Sequence, residues 1–221
     1  MSWLLRLVVL GRLFSIGDIH GEYDGLVRIL HSTGLAHKGI WTGGNSTVIL
    51  LGDVVDRGPD VLSCLRLVDH LGVQAQLSGG YFGSIMGNHE WMNLNDDFSY
   101  ANRAYQLEEK NEIKARIQHW PWMIRTSNDI LFVHSEPPVM KNSRAYAIEQ
   151  EHTLCPRVER LLHQFNASTI VVGHTPIWDK DPRVRCGKRL VLTDLGFTRS
   201  IYNYQTIVEW LSPLQFKTQS L

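Results

Sequence analysis

Gly52-Asp53-Val54-Val55-Asp56-Arg57-Gly58 follows directly on Thr47-Val48-Ile49-Leu50-Leu51. The second stretch is a short apolar run that reads as a buried strand. The first ends that strand and sets two carboxylates and a guanidinium within five residues. Unpaired charge at the end of a buried strand is costly, so the pattern calls for a cation and an anion at the strand's carboxyl end. Taken alone, the stretch is equally well a solvated turn, because Asp56, Gly58, Pro59 and Asp60 are ordinary turn residues.

The pattern repeats along the chain. Phe14-Ser15-Ile16 leads into Gly17-Asp18-Ile19-His20-Gly21, and Ser84-Ile85-Met86 into Gly87-Asn88-His89-Glu90. Ile130-Leu131-Phe132-Val133 leads into His134-Ser135-Glu136, and Thr169-Ile170-Val171-Val172 into Gly173-His174-Thr175. Each run delivers Asp, His or Asn as it ends. In an α/β sheet the carboxyl ends of strands gather on one edge, where ligands bind. Residues spread from position 18 to position 174 can therefore converge on one site. The expected fold class is α/β, with the site at the strand carboxyl ends.

The chain of 221 residues is expected to be one domain, 1–221. It is 43% hydrophobic and 20% charged, enough apolar material for a sizeable core. The formal net charge is zero, so no basic field points to nucleic acid as a partner. Cys64, Cys155 and Cys186 form neither a CxxC pair nor a disulfide framework. They are expected as reduced thiols of a cytoplasmic protein. The apolar stretch Ser2 to Leu10 is interrupted by Arg6, lacks a basic leader and is far too short to span a membrane. It is expected as an extra strand, a cap or a misplaced start. No other stretch is apolar enough to cross a bilayer, so no membrane partner is expected. The sequence leaves oligomeric state open.

Helices are expected over Glu22 to Leu35, ended by Gly34, and over Asp60 to Leu71, stopped by Gly72. Strands are expected at Leu13 to Ile16, Thr47 to Leu51, Phe82 to Met86, Ile130 to Val133 and Thr169 to Val172, with a short one at Gln74 to Leu77. Residues 36–46 read as a loop, and 91–128 show no strand pattern. Within them Glu108 to Lys114 favours a charged, solvated helix. Trp91, Trp120 and Trp122, with Met92 and Met123, could line a substrate groove but are expected in the core. Glu136-Pro137-Pro138 must leave regular structure, and Cys155 to Phe165 reads as a helix. Asp179 to Lys188 reads as a charged loop. Arg189 to Thr193 and Thr206 to Leu211 read as two more strands, antiparallel ones.

The collected residues are Asp18, His20, Asp53, Asn88, His134 and His174, with Asp56, Arg57, His89 and Glu90 beside them. Imidazole, carboxylate and amide oxygen together suit manganese, iron or zinc. Six ligands are too many for one catalytic ion and suit two, with Asp53 on a central strand as the shared carboxylate. Two such ions hold a hydroxide and clamp a phosphoryl oxygen. Arg57 offers a permanently charged fork for the remaining oxygens. His89, next to Asn88, can face the leaving group and protonate it, and Asp56 can orient that imidazole. The reaction expected is in-line attack of metal-held hydroxide on a phosphate ester.

Gly17-Asp18-Ile19-His20-Gly21, Gly52 to Gly58 and Gly87-Asn88-His89-Glu90 resemble the three signature blocks of the phosphoprotein phosphatases, a family of calcineurin-like metallophosphoesterases. The His134-Ser135-Glu136-Pro137 and Gly173-His174-Thr175-Pro176 blocks are more similar to its phage and bacterial branch. The resemblance covers about Leu13 to Leu211. It implies a metallophosphoesterase fold of two packed mixed sheets flanked by helices. It implies that Asp18 and His20 bind a first metal, Asp53 bridges, and Asn88, His134 and His174 bind a second. It implies His89 paired with Asp56 as the acid, and Arg57 on phosphate. Manganese is expected first, with iron or zinc also accepted. Two departures stand out. Glu136 replaces a small residue and adds negative charge near an anion site. The second phosphate-binding arginine lacks a clear motif; Arg144 is favoured over Arg157, with Arg160 the remaining candidate.

The leading expectation is a phosphomonoesterase acting on phosphoserine or phosphothreonine of a protein or peptide, with phosphotyrosine also admitted. A dinucleoside polyphosphate hydrolase would use the same ions but needs a nucleoside pocket, for which Trp91 or residues 178–188 are the candidates. A non-catalytic binding module should have lost ligands, and none is lost here. Asp194, at another strand end, reads either as a partner of a metal-binding histidine or as a turn residue. His31, His37, His70, His119, His152 and His163 sit in no such block and are expected on the surface or satisfied in the core.

Overall fold

The computed structural model describes residues 3–102, 105–136 and 143–221. Its first half runs β1 (Leu4–Leu7), β2 (Leu13–Ile16), α1 (Tyr23–Ser32), β3 (Ala36–His37), β4 (Ile40–Trp41), β5 (Thr47–Leu50), α2 (Val61–Leu77), β6 (Tyr81–Ser84) and α3 (Asn88–Leu94). The second half runs α4 (Leu107–Ile117), β7 (Met123–Thr126), β8 (Ile130–Val133), α5 (Ala145–Ile148), α6 (Glu151–Phe165), β9 (Thr169–Val172), β10 (Arg183–Arg185), β11 (Leu190–Leu192), β12 (Thr206–Ser212) and β13 (Gln215–Ser220).

Two mixed sheets form the centre. One has the order β1-β7-β8-β9-β11-β10 and the other β13-β12-β2-β5-β6. The core strands β2, β5 and β6 are mutually parallel, as are β8, β9 and β11. Alternation along each strand sorts its side chains between two cores. Ile49 of β5, Phe132 of β8, Val171 of β9 and Trp210 of β12 meet between the sheets. Val48, Leu50, Leu131 and Ile170 face the helices instead. Phe132 and Trp210 meet edge to face at 6.1 Å, and the Trp210 indole donates to Ser15 Oγ at 2.9 Å. The inter-sheet layer thus closes without stranding a polar group.

Several expectations are corrected. α2 does not stop at Gly72 but runs to Leu77 and absorbs the strand expected at Gln74. A Cβ at Gly72 would lie 3.0 Å from the Phe82 carbonyl oxygen, so this glycine serves close packing of α2 on β6. The true stop is Ser78-Gly79-Gly80, where Gly79 has φ +76°. Residues 36–46 contain the small hairpin β3–β4. β7 lies inside 91–128, where no strand was expected. β10 lies inside the stretch expected as a loop. The two late strands lie in different sheets: β11 joins β9 in parallel and β10 antiparallel, and β12 joins β2 and β13, both antiparallel. The N-terminal stretch does form a strand, β1, parallel to β7. Trp120, Trp122 and Met123 are buried as expected, whereas Trp91 is 44% exposed. The six isolated histidines are all exposed. The departure from regular structure expected at Glu136-Pro137-Pro138 falls, for both prolines, outside the described residues.

The cysteine expectation is also overturned in part. Cys155 and Cys186 form a disulfide that ties α6 to the turn after β10, while Cys64 is free and buried. No helix among the described residues is long and apolar enough to cross a membrane.

Candidate active site

The carboxyl ends of β2, β5, β8 and β9, with the start of α3, meet on one edge of the two sheets. A cavity of about 310 Å³ opens there, and Asp18, His20, Asp53, Asn88, His89 and His174 line it together with Arg57 and Arg144. Leaving a strand abruptly requires unusual backbone. His20, Asp53, Asp56, Arg57 and His174 all have positive φ, between 49° and 68°. Side-chain-bearing residues seldom adopt this region, and such strain persists where the surroundings enforce it. Gly52 has φ +85°, and a Cβ there would lie 2.8 Å from Gly87 N, so only glycine lets the two turns touch.

Glu90 enforces the turn after β5. Its buried carboxylate accepts the N–H groups of Asp53 and Gly87 through Oε2 at 2.8 Å each, and those of Val54 and Val55 through Oε1 at 2.8 and 3.2 Å. One side chain thereby fixes the Asp53 loop against the start of α3. Burial and the Asp53 charge raise the Glu90 carboxyl to about 7. The sequence block contained Glu90 but assigned it no role. Its place three residues after Gly87, at the first turn of a helix, was the available signal.

The histidines are oriented by carbonyls. His134 Nδ1 lies 2.7 Å from the Leu51 carbonyl and His20 Nδ1 lies 2.9 Å from that of Val55. Donation there turns both Nε2 atoms into the site, that of His20 as a bare acceptor. His134 Nε2 faces Asn88 Oδ1 at 2.9 Å, His174 Nδ1 at 3.2 Å and Asp53 Oδ2 at 3.4 Å. His20 Nε2 lies 3.9 Å from the same Asp53 oxygen. His174 Nε2 is buried with no partner among the described residues. Side-chain nitrogen and oxygen atoms converging on one another in this way are the chemistry of a cation site. Two sets fit a metal ion, His20-Asp53-His89 and Asp53-His134-His174, and Asp53 belongs to both. The donor set therefore fits two divalent ions sharing a carboxylate.

Asp18 is held differently. Its two oxygens accept the His174 N–H at 3.0 and 3.1 Å, and Oδ1 lies 4.0 Å from His134 Nδ1. Burial and the neighbouring Asp194 raise its pKa well above the usual range. Asp194 itself is raised to about 6 by burial, and its Oδ1 accepts the Gly196 N–H at 3.0 Å. Asp194 is thus a turn residue and a close electrostatic partner of both Asp18 and His134. Burial lowers His20 to about 3 and His174 to about 4. His134 is pressed down by burial, but Asp53 and Asp18 outweigh it and lift it to about 10. Burial works against the Asp53 charge too, yet the surrounding imidazoles hold its carboxyl well below the usual range.

Asp56 is fully buried behind His89, with Oδ2 2.6 Å from His89 Nδ1, which turns His89 Nε2 toward the cavity. Burial opposes the charged imidazole, but Asp53 and Asp56 together raise its pKa. Arg57 donates its backbone N–H to the Tyr100 carbonyl at 2.9 Å and sets its guanidinium 5.4 Å from the Tyr100 ring, and its Nε has no hydrogen-bond partner among the described residues. Arg144, just before α5, lines the cavity and depresses His174 by its charge. Arg157 does not reach the cavity. It pairs with Glu136 at 2.9 Å and with Glu149 at 2.8 Å. The charge that Glu136 brings is therefore neutralised. Arg160 is exposed on α6. Asn93, one turn beyond His89, also reaches Asp56; nothing in the sequence reading singled it out, although its i, i+4 spacing from His89 placed it on the same helix face.

Residues 11–209 match the calcineurin-like phosphoesterase family. The chain is 27% identical over 183 residues to serine/threonine-protein phosphatase 2 of Escherichia coli, covering 72% of this chain and 77% of that protein. It is 38% identical over 93 residues to Shewanella-like protein phosphatase 2 of Arabidopsis thaliana, covering 42% of this chain and 24% of that protein. It thus spans about a quarter of the length of such relatives. Among solved structures, the cold-active protein-tyrosine phosphatase of a psychrophilic Shewanella superposes with a TM-score of 0.72 at 18% identity, covering 99% of this chain and 82% of that one.

Proposed function

The chain belongs to the calcineurin-like phosphoesterase family, and from that membership we propose that it is a metal-dependent phosphatase of phosphorylated proteins, hydrolysing phosphoserine or phosphothreonine and also admitting phosphotyrosine. The observation that carries this reading is the pairing of two chemistries in one cavity. Converging side-chain donors around Asp53 suit cations, and the Arg57 and Arg144 guanidiniums that line the same cavity suit a phosphate.

Asp18, His20 and Asp53 would hold one ion, and Asp53, Asn88, His134 and His174 the other; manganese is the first candidate, with iron and zinc accepted by the same donors. Bound there, such ions supply an activated water and neutralise charge on the phosphoryl group. The chain's own residues do the rest. Arg57 and Arg144 hold the non-bridging oxygens and fix the phosphorus in line. His89, engaged by Asp56 through Nδ1, presents Nε2 to the departing oxygen and protonates it. Met92 and Tyr100 line the cavity on the same side as His89, an apolar wall suited to an aromatic as well as an aliphatic leaving group. The expected cytoplasmic location rested on unpaired cysteines, and the Cys155–Cys186 bridge favours an oxidising compartment instead.

The test is phosphate release by the manganese-loaded protein from a phosphoserine peptide, a phosphotyrosine peptide and diadenosine tetraphosphate, with Asp53→Asn as the blank. Turnover of peptides supports the reading and ranks the two hydroxyls. Preference for the dinucleotide would replace it with a polyphosphate hydrolase using the same residues. Silence on all three with metal bound would refute it.

A further inference from the structure

Asn93 is fully buried on α3, one turn after His89. Its Nδ2 lies 3.1 Å from Asp56 Oδ1, 3.2 Å from Asp56 Oδ2 and 2.9 Å from the His89 carbonyl oxygen. The orientation of this amide is fixed by its neighbours. Reversed, its oxygen would meet two carboxylate oxygens and a carbonyl, none of which carries a proton. The other end has no such support: Asn93 Oδ1 is buried with no hydrogen-bond partner among the described residues. A buried polar atom left unsatisfied costs roughly 1–3 kcal/mol. Leucine would fill this position in a helix more cheaply, so the amide serves its neighbour rather than the fold.

That neighbour is Asp56, whose backbone stands at φ 65°. Its carboxylate is buried and meets His89 Nδ1 on one side and Asn93 Nδ2 on the other. Two donors from one helix fix the plane of the carboxylate, and the carboxylate fixes the plane of the imidazole. The His20 and Tyr100 rings, with centroids 4.8 and 5.0 Å from that of His89, then limit its tilt.

We propose that Asn93 is a positioning residue for proton delivery, acting through Asp56 on His89; this rests on the reading of His89 as the proton donor. In the step concerned, the attacking water oxygen bonds to phosphorus and gives its proton to solvent. The bond from phosphorus to the ester oxygen breaks with its electron pair on that oxygen, which takes the proton from His89 Nε2. His89 is then reprotonated from solvent. Asn93 touches none of the reacting atoms. Its contribution is that Nε2 points at the departing oxygen when the bond breaks.

Leaving groups of different basicity separate this role from simple structural support. An alkyl oxygen needs the proton, whereas p-nitrophenolate leaves without it. In the manganese-loaded protein, Asn93→Ala is expected to lower kcat/KM for a phosphoserine peptide by about 10-fold or more and that for p-nitrophenyl phosphate by less than about 3-fold. Metal stoichiometry should not change. Asn93→Ser keeps one donor and should recover part of the loss, and it carries the test if the alanine variant does not fold. In a His89→Asn background, Asn93→Ala should have no further effect on the ratio of the two substrates. Equal losses on both substrates, or an additive effect in that background, would overturn the proposal. If His89→Asn itself leaves the ratio unchanged, the assignment of the proton donor fails, and the role of Asn93 falls with it.

Discussion

Asp53 Oδ2 and His134 Nε2 lie 3.4 Å apart, and donation by His134 Nδ1 to the Leu51 carbonyl leaves no proton for the contact unless the imidazole is charged. The Asp53 and Asp18 carboxylates hold that extra proton against the pull of burial, with the His134 pKa at about 10. At pH 8 the metal-free site therefore carries it, and a divalent ion must displace it. Manganese binding at pH 8 is expected to release about one proton from His134 and to strengthen about tenfold per pH unit up to that pKa. Calorimetry in two buffers of different ionisation enthalpy reads the release directly, and a heat independent of buffer would contradict it. Asp53→Asn should abolish binding of both ions, because both donor sets need that carboxylate.

The two arginines near β8 should separate cleanly. Arg144 lines the cavity, so Arg144→Ala is expected to lower kcat/KM by about 10- to 100-fold while leaving the melting temperature nearly unchanged. Arg157 instead bridges Glu136 and Glu149, so Arg157→Ala leaves two carboxylates facing each other. It should cost stability, about 1 kcal/mol because the arginine is half-buried, and return Glu136's charge to the phosphate site. A variant pair with the reverse pattern would exchange the two assignments.

The residues of the candidate site were legible because each follows an apolar run that is itself a strand. Asp18, Asp53, His134 and His174 appear within three residues of β2, β5, β8 and β9, and local pattern suffices to find them. What failed was pairing at a distance. β1 finds its partner β7 more than a hundred residues away, and β13 is a partly exposed edge strand whose polar sequence carries no buried face. Gly72 read as a stop because its packing against β6 is invisible until the sheet exists. Glu90 and Asn93 were passed over for the same reason: what they bind, the Asp53 turn and the Asp56 carboxylate, comes from another strand end.

Cys155 and Cys186 illustrate the same limit, since they are 31 positions apart with most of α6, β9 and β10 between them. Closing a loop of that length is expected to stabilise the fold by about 3–4 kcal/mol. A Cys155→Ser and Cys186→Ser double variant, melted beside the parent under non-reducing conditions, should unfold correspondingly earlier. Equal melting temperatures, with the parent's thiols both titratable, would show that the bridge does not form.

Glu209 on β12 offers a test of pH dependence remote from the metal site. Its carboxylate accepts from Arg12 at 2.7 Å and stands 2.9 Å from Lys217, its register partner on β13. The Arg12 hydrogen bond, with that of Lys217, lowers its pKa from 4.5 to about 2 despite burial. A carboxyl depressed in the folded state stabilises above its unfolded value and loses that contribution as pH falls through the folded one. Arg12 and Lys217 are both more than half exposed, so screening reduces the effect to about 1 kcal/mol. Glu209→Gln should therefore be less stable than the parent by about that much at pH 6, in low salt, with the gap closing as pH falls from 4.5 toward 2. Denaturant titrations of both proteins at several pH values measure the gap. A difference that stays constant down to pH 2 would assign Glu209's contribution to packing of the β12–β13 edge rather than to its charge.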